Sequence, residues 1–482
     1  MSELSIVPKG WKTAEIVSRE LTTKFNIRTS GRRTFRRCLR KWGFQSSMRS
    51  NLERRGSETN IHFWFGSAIH FAMEDYFGYN RFGDPRRAYR AYYGAFKERP
   101  EAADSYYDLG LAMLTYFLEW YPKHNNDLEF ETLWLDKDNQ QTIAHSEGAR
   151  PAIEESFTLD LGLKVIVNAR TGKLIEKLTI DSERRLIRPK APLPNEFNVL
   201  ASAGLLEEEP IRYMHDDENS EIIDVVIVPI CYHGTMDRIV IDKYGRWWIL
   251  DYKTAKGADT NKLDTDDQIS SYCWGAEQWY QHKIHGFVYL QLTKDVAKPP
   301  RRLKSGDLSV EKKQKTTYQL FRAEVLKDYG EVKKAPSKII EMLNHLATLD
   351  TPEGDRFIRW DLVTRNDAQK IATYHHIMGE VEQMINPNLY LYPNPTRDCM
   401  WDCDFRSTCI EMDSGNIDEA INALMLDYQE RSDSNESNHD DWKKDIVWPD
   451  SPLEAAKLDD AELRPDLFNI ILPPEYDEPE GK

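Results

Sequence analysis

The stretch "EIIDVVIVPICYHGTMDRIVIDKYGRWWILDYKT" (221–254) restricts this chain more than any other. Its first part is rich in β-branched residues, "KYGR" is a turn signal, and "WWILDYKT" reads as the returning strand. If Lys243–Gly245 form a three-residue loop, Asp242 pairs with Arg246 and Asp237 falls opposite Asp251. Asp251 and Lys253 are two apart and therefore share a face. Directly opposed residues of an antiparallel pair have Cβ atoms roughly 5 Å apart. Two carboxylates at that spacing repel each other unless a cation sits between them. A hard divalent ion, Mg²⁺ or Mn²⁺, suits such oxygen ligands, and the flanking "IVI" and "WWIL" supply a rigid, partly dry wall. Taken alone, the same pattern also fits an edge hairpin with solvent-facing charges.

The rest of the chain gives that hairpin neighbours. Residues 1–60 read as loop plus a helix over 30–44, and further helices follow in "HFWFGSAIHFAMEDYFGY" (62–79), with His70 beside its apolar stripe, "PRRAYRAYYGAFKE" and "SYYDLGLAMLTYFLEWY". "DLEFETLWLD" and "AIEESFTLDLG" look like strands, and residues 163–222 like an insertion between core elements. "DDQISSYCWGAEQWYQ" (266–281) reads as a helix that carries Gln268 and Tyr272 on one face, and "GFVYLQLT" (286–293) as a strand. Residues 316–348 and 367–386 read mostly as helix, in which His375 and His376 have no assigned role. The expected fold is α/β, a mixed central sheet flanked by helices, with an α-rich N-terminal part.

Charge is distributed unevenly. The net charge is −16. Residues 411–482 hold 21 acidic and 6 basic residues, whereas residues 1–60 hold 14 basic and 5 acidic. The body is therefore near neutral, with an acidic tail that reads as partly disordered. A basic front with Arg32, Arg33, Arg36 and Arg37 is the footprint of a phosphate-backbone binder, or else a solvated basic helix. No apolar run is long enough to span a bilayer, and no secretory signal opens the chain. A cytoplasmic protein with reduced thiols is expected. No Walker A sequence is present, so ATP is not an expected partner.

Taken in order, the His-bearing helix, an acid-bearing strand, Gly234-x-x-Asp237, Asp251-x-Lys253 and Gln268-x-x-x-Tyr272 form a pattern. It resembles the RecB-like branch of the PD-(D/E)XK nucleases, in particular the CRISPR-associated and phage-encoded iron-sulfur exonucleases. Gly66 to His70 matches the family's Gly-x-x-x-His, and Glu154 the first-strand acid. The resemblance implies a divalent metal held by His70, Asp237, Asp251 and the carbonyl of Tyr252. Lys253 would orient or deprotonate the attacking water, and Gln268 and Tyr272 would contact the DNA backbone or support Lys253.

Six cysteines complete the inventory. Cys399, Cys403 and Cys409 cluster in "RDCMWDCDFRSTC", Cys38 lies in the basic segment, and Cys231 and Cys273 read as core. The clustered three fit a zinc knuckle or buried thiols. The family resemblance implies instead one 4Fe-4S cluster on Cys38, Cys399, Cys403 and Cys409, although the x3 gap between Cys399 and Cys403 exceeds the family's usual x2.

The implied organisation is a basic segment (1–60), a nuclease core (61–410) and an acidic tail (411–482) that could dock a protein partner. The implied activity is metal-dependent DNA exonuclease action at single-stranded ends, in recombination, repair or CRISPR-type processing. A catalytically inactive DNA-binding or adaptor protein on the same fold is the alternative.

Overall fold

The computed structural model describes residues 24–449, apart from 57–59, 97–99, 101–102, 145, 170–171, 188–211, 217–220, 258–259, 261, 401–402, 432–442, 444–445 and 447. A ten-stranded mixed sheet forms its centre. The chain enters through β1 (Phe25–Ile27), α1 (Thr29–Arg37), α2 (Leu39–Gln45) and the short β2 (Leu52–Arg54). Three helices follow, α3 (Ile61–Phe77), α4 (Pro85–Ala95) and α5 (Ala103–Asn125), then β3 (Glu131–Thr132), β4 (Trp134–Leu135) and β5 (Arg150–Pro151). β6 (Ile153–Asn168) and β7 (Leu174–Lys177) lead through α6 (Ile180–Arg185), β8 (Leu186–Ile187) and β9 (Arg212–Asp216) to the long β10 (Glu221–Ile241).

β10 and β11 (Trp247–Ala255) form the antiparallel hairpin, with Val240 opposite Trp248 and Arg238 opposite Leu250. The loop closes as the sequence spacing requires. Asp242 N–H donates to Arg246 O at 3.1 Å, and Gly245 adopts φ +76°, a left-handed value that suits glycine. From β11 the chain crosses through α7 (Asp267–Tyr280) to β12 (Ile284–Thr293), which lies parallel to β11. A parallel neighbour demands such a crossover. Then come α8 (Tyr318–Tyr329), α9 (Ser337–Leu349), the edge strand β13 (Ile358–Thr364), α10 (Asp367–Met384), α11 (Arg406–Asp413), α12 (Ile417–Asp427) and β14 (Tyr428–Glu430).

Alternation along β11 divides the interior. Trp247 and Ile249 pack with Ile269, Cys273, Ile377 and Val381 under α7 and α10. Trp248, Leu250 and Tyr252 pack with Phe65, Ile69 and Met73 of α3 on the other face. Each such side chain, fully buried, contributes about 1.5–3 kcal/mol. Phe157 of β6 shows how tight the first face is. A Cβ at Gly234 would lie 2.6 Å from its ring, and one at Gly275 would lie 2.4 Å from it. The two glycines let α7 close over β10 and bring Tyr272 to the sheet.

Several expectations need correction. The basic front is not a separate loop and helix: β1 pairs parallel with β10, and the expected 30–44 helix is two helices that break at extended Cys38. Residues 163–168, expected in the insertion, continue β6 and pair with β10; residues 188–211 of that insertion lie outside the described residues. β13 pairs with β12, although the sequence reading assigned no strand there. The acidic tail, read as only partly disordered, is folded at its start: β14 pairs with β2, Leu424 is buried, and Trp448 packs against Phe71. Among the described residues no helix is long and apolar enough to cross a membrane.

Candidate active site

The hairpin register carries Asp237 to the end of the β10–β11 ladder. There its Oδ2 accepts the backbone N–H of Tyr252 at 2.7 Å, in place of the next ladder bond. α3 brings His70 to the same atom, with Nδ1 3.5 Å away. β6 adds Glu154, which holds φ +51°, a left-handed conformation uncommon for glutamate. Ligand atoms of His70, Glu154 and Asp237 all lie within 4.8 Å of one another. One imidazole nitrogen and two carboxylates at that spacing fit a divalent cation of the Mn²⁺ or Mg²⁺ type.

Asp251, which is buried, and Lys253, whose side chain is 36% exposed, form an ion pair beside this trio, with Nζ 2.7 Å from Oδ2 and 2.9 Å from Oδ1. Gln268 Nε2 reaches Asp251 Oδ1 at 3.4 Å. Asp266 caps α7, its Oδ1 accepting from Gln268 N at 2.7 Å, and so sets Gln268 in the first turn facing Asp251. Burial pushes the Asp251 carboxyl up to about 6; Asp237 adds to the shift and Lys253 opposes it. Burial works against the Lys253 ammonium, but Asp251 and Asp237 together outweigh it and hold its pKa above the ordinary lysine value. The two shifts are compatible, because Lys253 faces two carboxylates whereas Asp251 faces one carboxylate and one ammonium. Tyr272 completes this wall; burial and then Asp251 raise its phenol pKa.

The remaining sequence candidates divide. Arg32 was expected to face DNA but is fully buried. Its guanidinium donates to Glu380 at 2.7 Å, Ser271 at 3.0 Å and Asp267 at 3.3 Å, so it ties α1 to α7 and α10. A buried, fully paired cation is not available to phosphate, and the phosphate-contact expectation fails for it. Arg36 is part-exposed and pairs with Asp267 at 2.8 Å. Arg37 pairs with Asp398 at 3.3 Å. Arg33 is exposed.

The four cysteines come from both ends of the body to one region, where no three of them bring their sulfur atoms within 4.8 Å of one another. Cys38 caps α2, its Sγ accepting from Lys41 N at 3.5 Å. Arg40 Nη1 lies 3.2 Å from Cys409 Sγ. Burial raises the Cys403 and Cys409 thiols, and Cys38 lies near enough to add to both shifts, as does Cys399 for Cys403. Cys231 and Cys273 are core residues.

Sequence reasoning gave Glu154 only a secondary place and did not see that Asp266 positions Gln268. An Asp-Asp pair before an apolar helix was the available signal for the second.

A family model for the PD-(D/E)XK nuclease superfamily matches residues 29–410. The chain belongs to that superfamily. Among curated proteins, none matches the chain. Membership makes this a metal-dependent nuclease, and among the described residues His70, Glu154 and Asp237 form the candidate metal-binding group.

Proposed function

We propose that the chain is a DNA exonuclease that hydrolyses phosphodiester bonds at single-stranded ends, in recombination, repair or CRISPR-type processing. The observation that carries this is the meeting of His70, Glu154 and Asp237 within 4.8 Å, beside the ion pair of buried Asp251 with part-exposed Lys253. His70, Glu154, Asp237, Asp251 and the carbonyl of Tyr252 would hold Mn²⁺ or Mg²⁺. When bound, that ion lowers the pKa of water and offsets charge on phosphoryl oxygen. The chain's own residues do the rest. Lys253 stays an ammonium, so it orients the attacking water and faces the negative charge that grows as the new P–O bond forms and the strand's P–O bond breaks. Gln268 holds Asp251 in place, and Tyr272 lines the strand's approach.

The cysteine quartet supports a 4Fe-4S cluster on Cys38, Cys399, Cys403 and Cys409, with thiolates the expected ligands. Zinc on the same residues is the second reading, favoured by the departure from the usual x2 spacing. Partner docking through the acidic tail belongs to this proposal too, since most of that tail lies outside the described residues.

Linear and circular single-stranded DNA of one sequence, incubated with Mn²⁺, separate the finer claim from the family. An exonuclease degrades the linear form and spares the circle. Equal cleavage of both would make the protein an endonuclease and overturn the end-dependence.

A further inference from the structure

A nuclease must hold its polymer on phosphates beyond the one it hydrolyses. The ends of β11 and β12 offer such a hold. Lys294 N–H donates to Ala255 O at 2.7 Å, so Lys256 and Lys294 leave the sheet side by side. Alternation puts Thr254 on the face of Tyr252, toward α3, and Lys256 follows just past the strand end at Ala255. There Thr254 Oγ1 lies 3.6 Å from where a Cβ on Gly66 would sit. Lys294 Nζ stands 5.2 Å from the Phe65 ring centroid and 5.9 Å from that of Tyr106. The Tyr106 hydroxyl lies 3.2 Å from His62 Nδ1.

The two ammonium groups meet without a counter-charge, and His62, whose pKa they lower, stands beside them as a neutral ring. Among the described residues no ion pair joins Lys256 or Lys294 to an acid. Their effects on one another are those of like charges: burial and then Lys256 lower the Lys294 pKa, and burial, then Lys294 and Lys256, lower that of His62. In a chain of net charge −16, gathered positive groups with no described partner call for a polyanion. Phe63, next to His62, is 76% exposed, an open ring face beside them.

Position relates this patch to the catalytic residues. His62, Gly66 and His70 recur every four residues and lie along one side of α3. Eight residues of helix span about 12 Å, so the patch lies one short step along α3 from the His70–Asp237 contact. Gly66 leaves the helix bare between them.

We propose that His62, Lys256 and Lys294 form a backbone subsite that holds a substrate phosphate outside the scissile bond, with Phe63 stacking on the adjoining unpaired base. The proposal rests on the nuclease reading. Aromatic stacking beside a cationic track is how single strands are held without sequence readout.

The test is fluorescence anisotropy of a labelled single-stranded oligonucleotide with the full chain in EDTA, over a salt series. Lys256→Ala/Lys294→Ala should raise Kd at least tenfold. It should also flatten the slope of log K against log salt by about 0.7, the value for one phosphate contact on a single strand. Lys256→Arg/Lys294→Arg should restore both, which a purely structural role for the amines would not predict. Phe63→Ala should weaken binding and leave the slope unchanged. With Mn²⁺ present, the double alanine variant should lose more in KM than in kcat. A folded double alanine variant with the affinity and salt slope of the wild type would overturn the subsite alone. A wild-type chain that binds no oligonucleotide would overturn the nuclease reading beneath it.

Discussion

Asp251→Asn is expected to reduce cleavage by about a thousandfold, a transition-state loss of about 4 kcal/mol, while single-stranded DNA still binds. The amide keeps the shape of the carboxylate but loses its charge. It therefore cannot share a cation with Asp237 or serve as the anionic partner of Lys253. The fold should survive for two reasons. The substitution removes a buried charge whose carboxyl is already pushed up to about 6 by burial, and Asp237 remains to face the Lys253 ammonium. The basic residues proposed to hold DNA are untouched. Rates on a labelled oligonucleotide, set beside anisotropy in EDTA, check both halves. Full activity would remove Asp251 from the metal-binding set.

Cys403→Ala should bleach the protein, lower its stability and reduce cleavage, although Asp237 and Asp251 are untouched. Cys38 and Cys399 are 361 positions apart, and closing so long a loop restricts the unfolded chain by on the order of 5–6 kcal/mol in the loop-entropy view. That closure would add to the ties that already hold the N-terminal helices, β1 on β10 and Arg32 on α7 and α10. α1 carries Arg32 into the space between α7 and α10, and α7 carries Gln268 to Asp251. Loosening the cysteine quartet should thus reach the catalytic pair through α1 and α7. Metal analysis and melting of protein purified without oxygen decide it. One zinc and no iron would replace the cluster with a zinc staple, and no metal at all would remove the staple.

What the sequence made legible was mostly local. The hairpin register followed from a three-residue turn and the period of two, and it placed Asp237, Asp251 and Lys253 together before any fold was known. The four-residue spacing of Gln268 and Tyr272 likewise fixed a helix face. The sequence did not disclose what depends on distant partners. Arg32 reads as surface charge because its acceptors, Glu380 and Asp267, stand 348 and 235 positions away. β1 reads as loop because only pairing with β10 makes it a strand. The Leu163–Asn168 run is apolar and β-like, but it opens a mixed, polar stretch and passes for part of an insertion until its pairing with β10 is seen. Glu154 is hardest of all, since its place beside His70 depends on a left-handed backbone that its own sequence does not favour.

The central claim is that His70, Glu154, Asp237 and Asp251 make a working metal site. Its most direct test is the wild-type cleavage rate of a labelled single-stranded oligonucleotide, measured first in EDTA and then across a Mn²⁺ titration. The account predicts no cleavage in EDTA, a saturable rise with Mn²⁺, and loss of that rise in Asp237→Asn. Cleavage that persists in EDTA, or a Mn²⁺ response unchanged in Asp237→Asn, would contradict it.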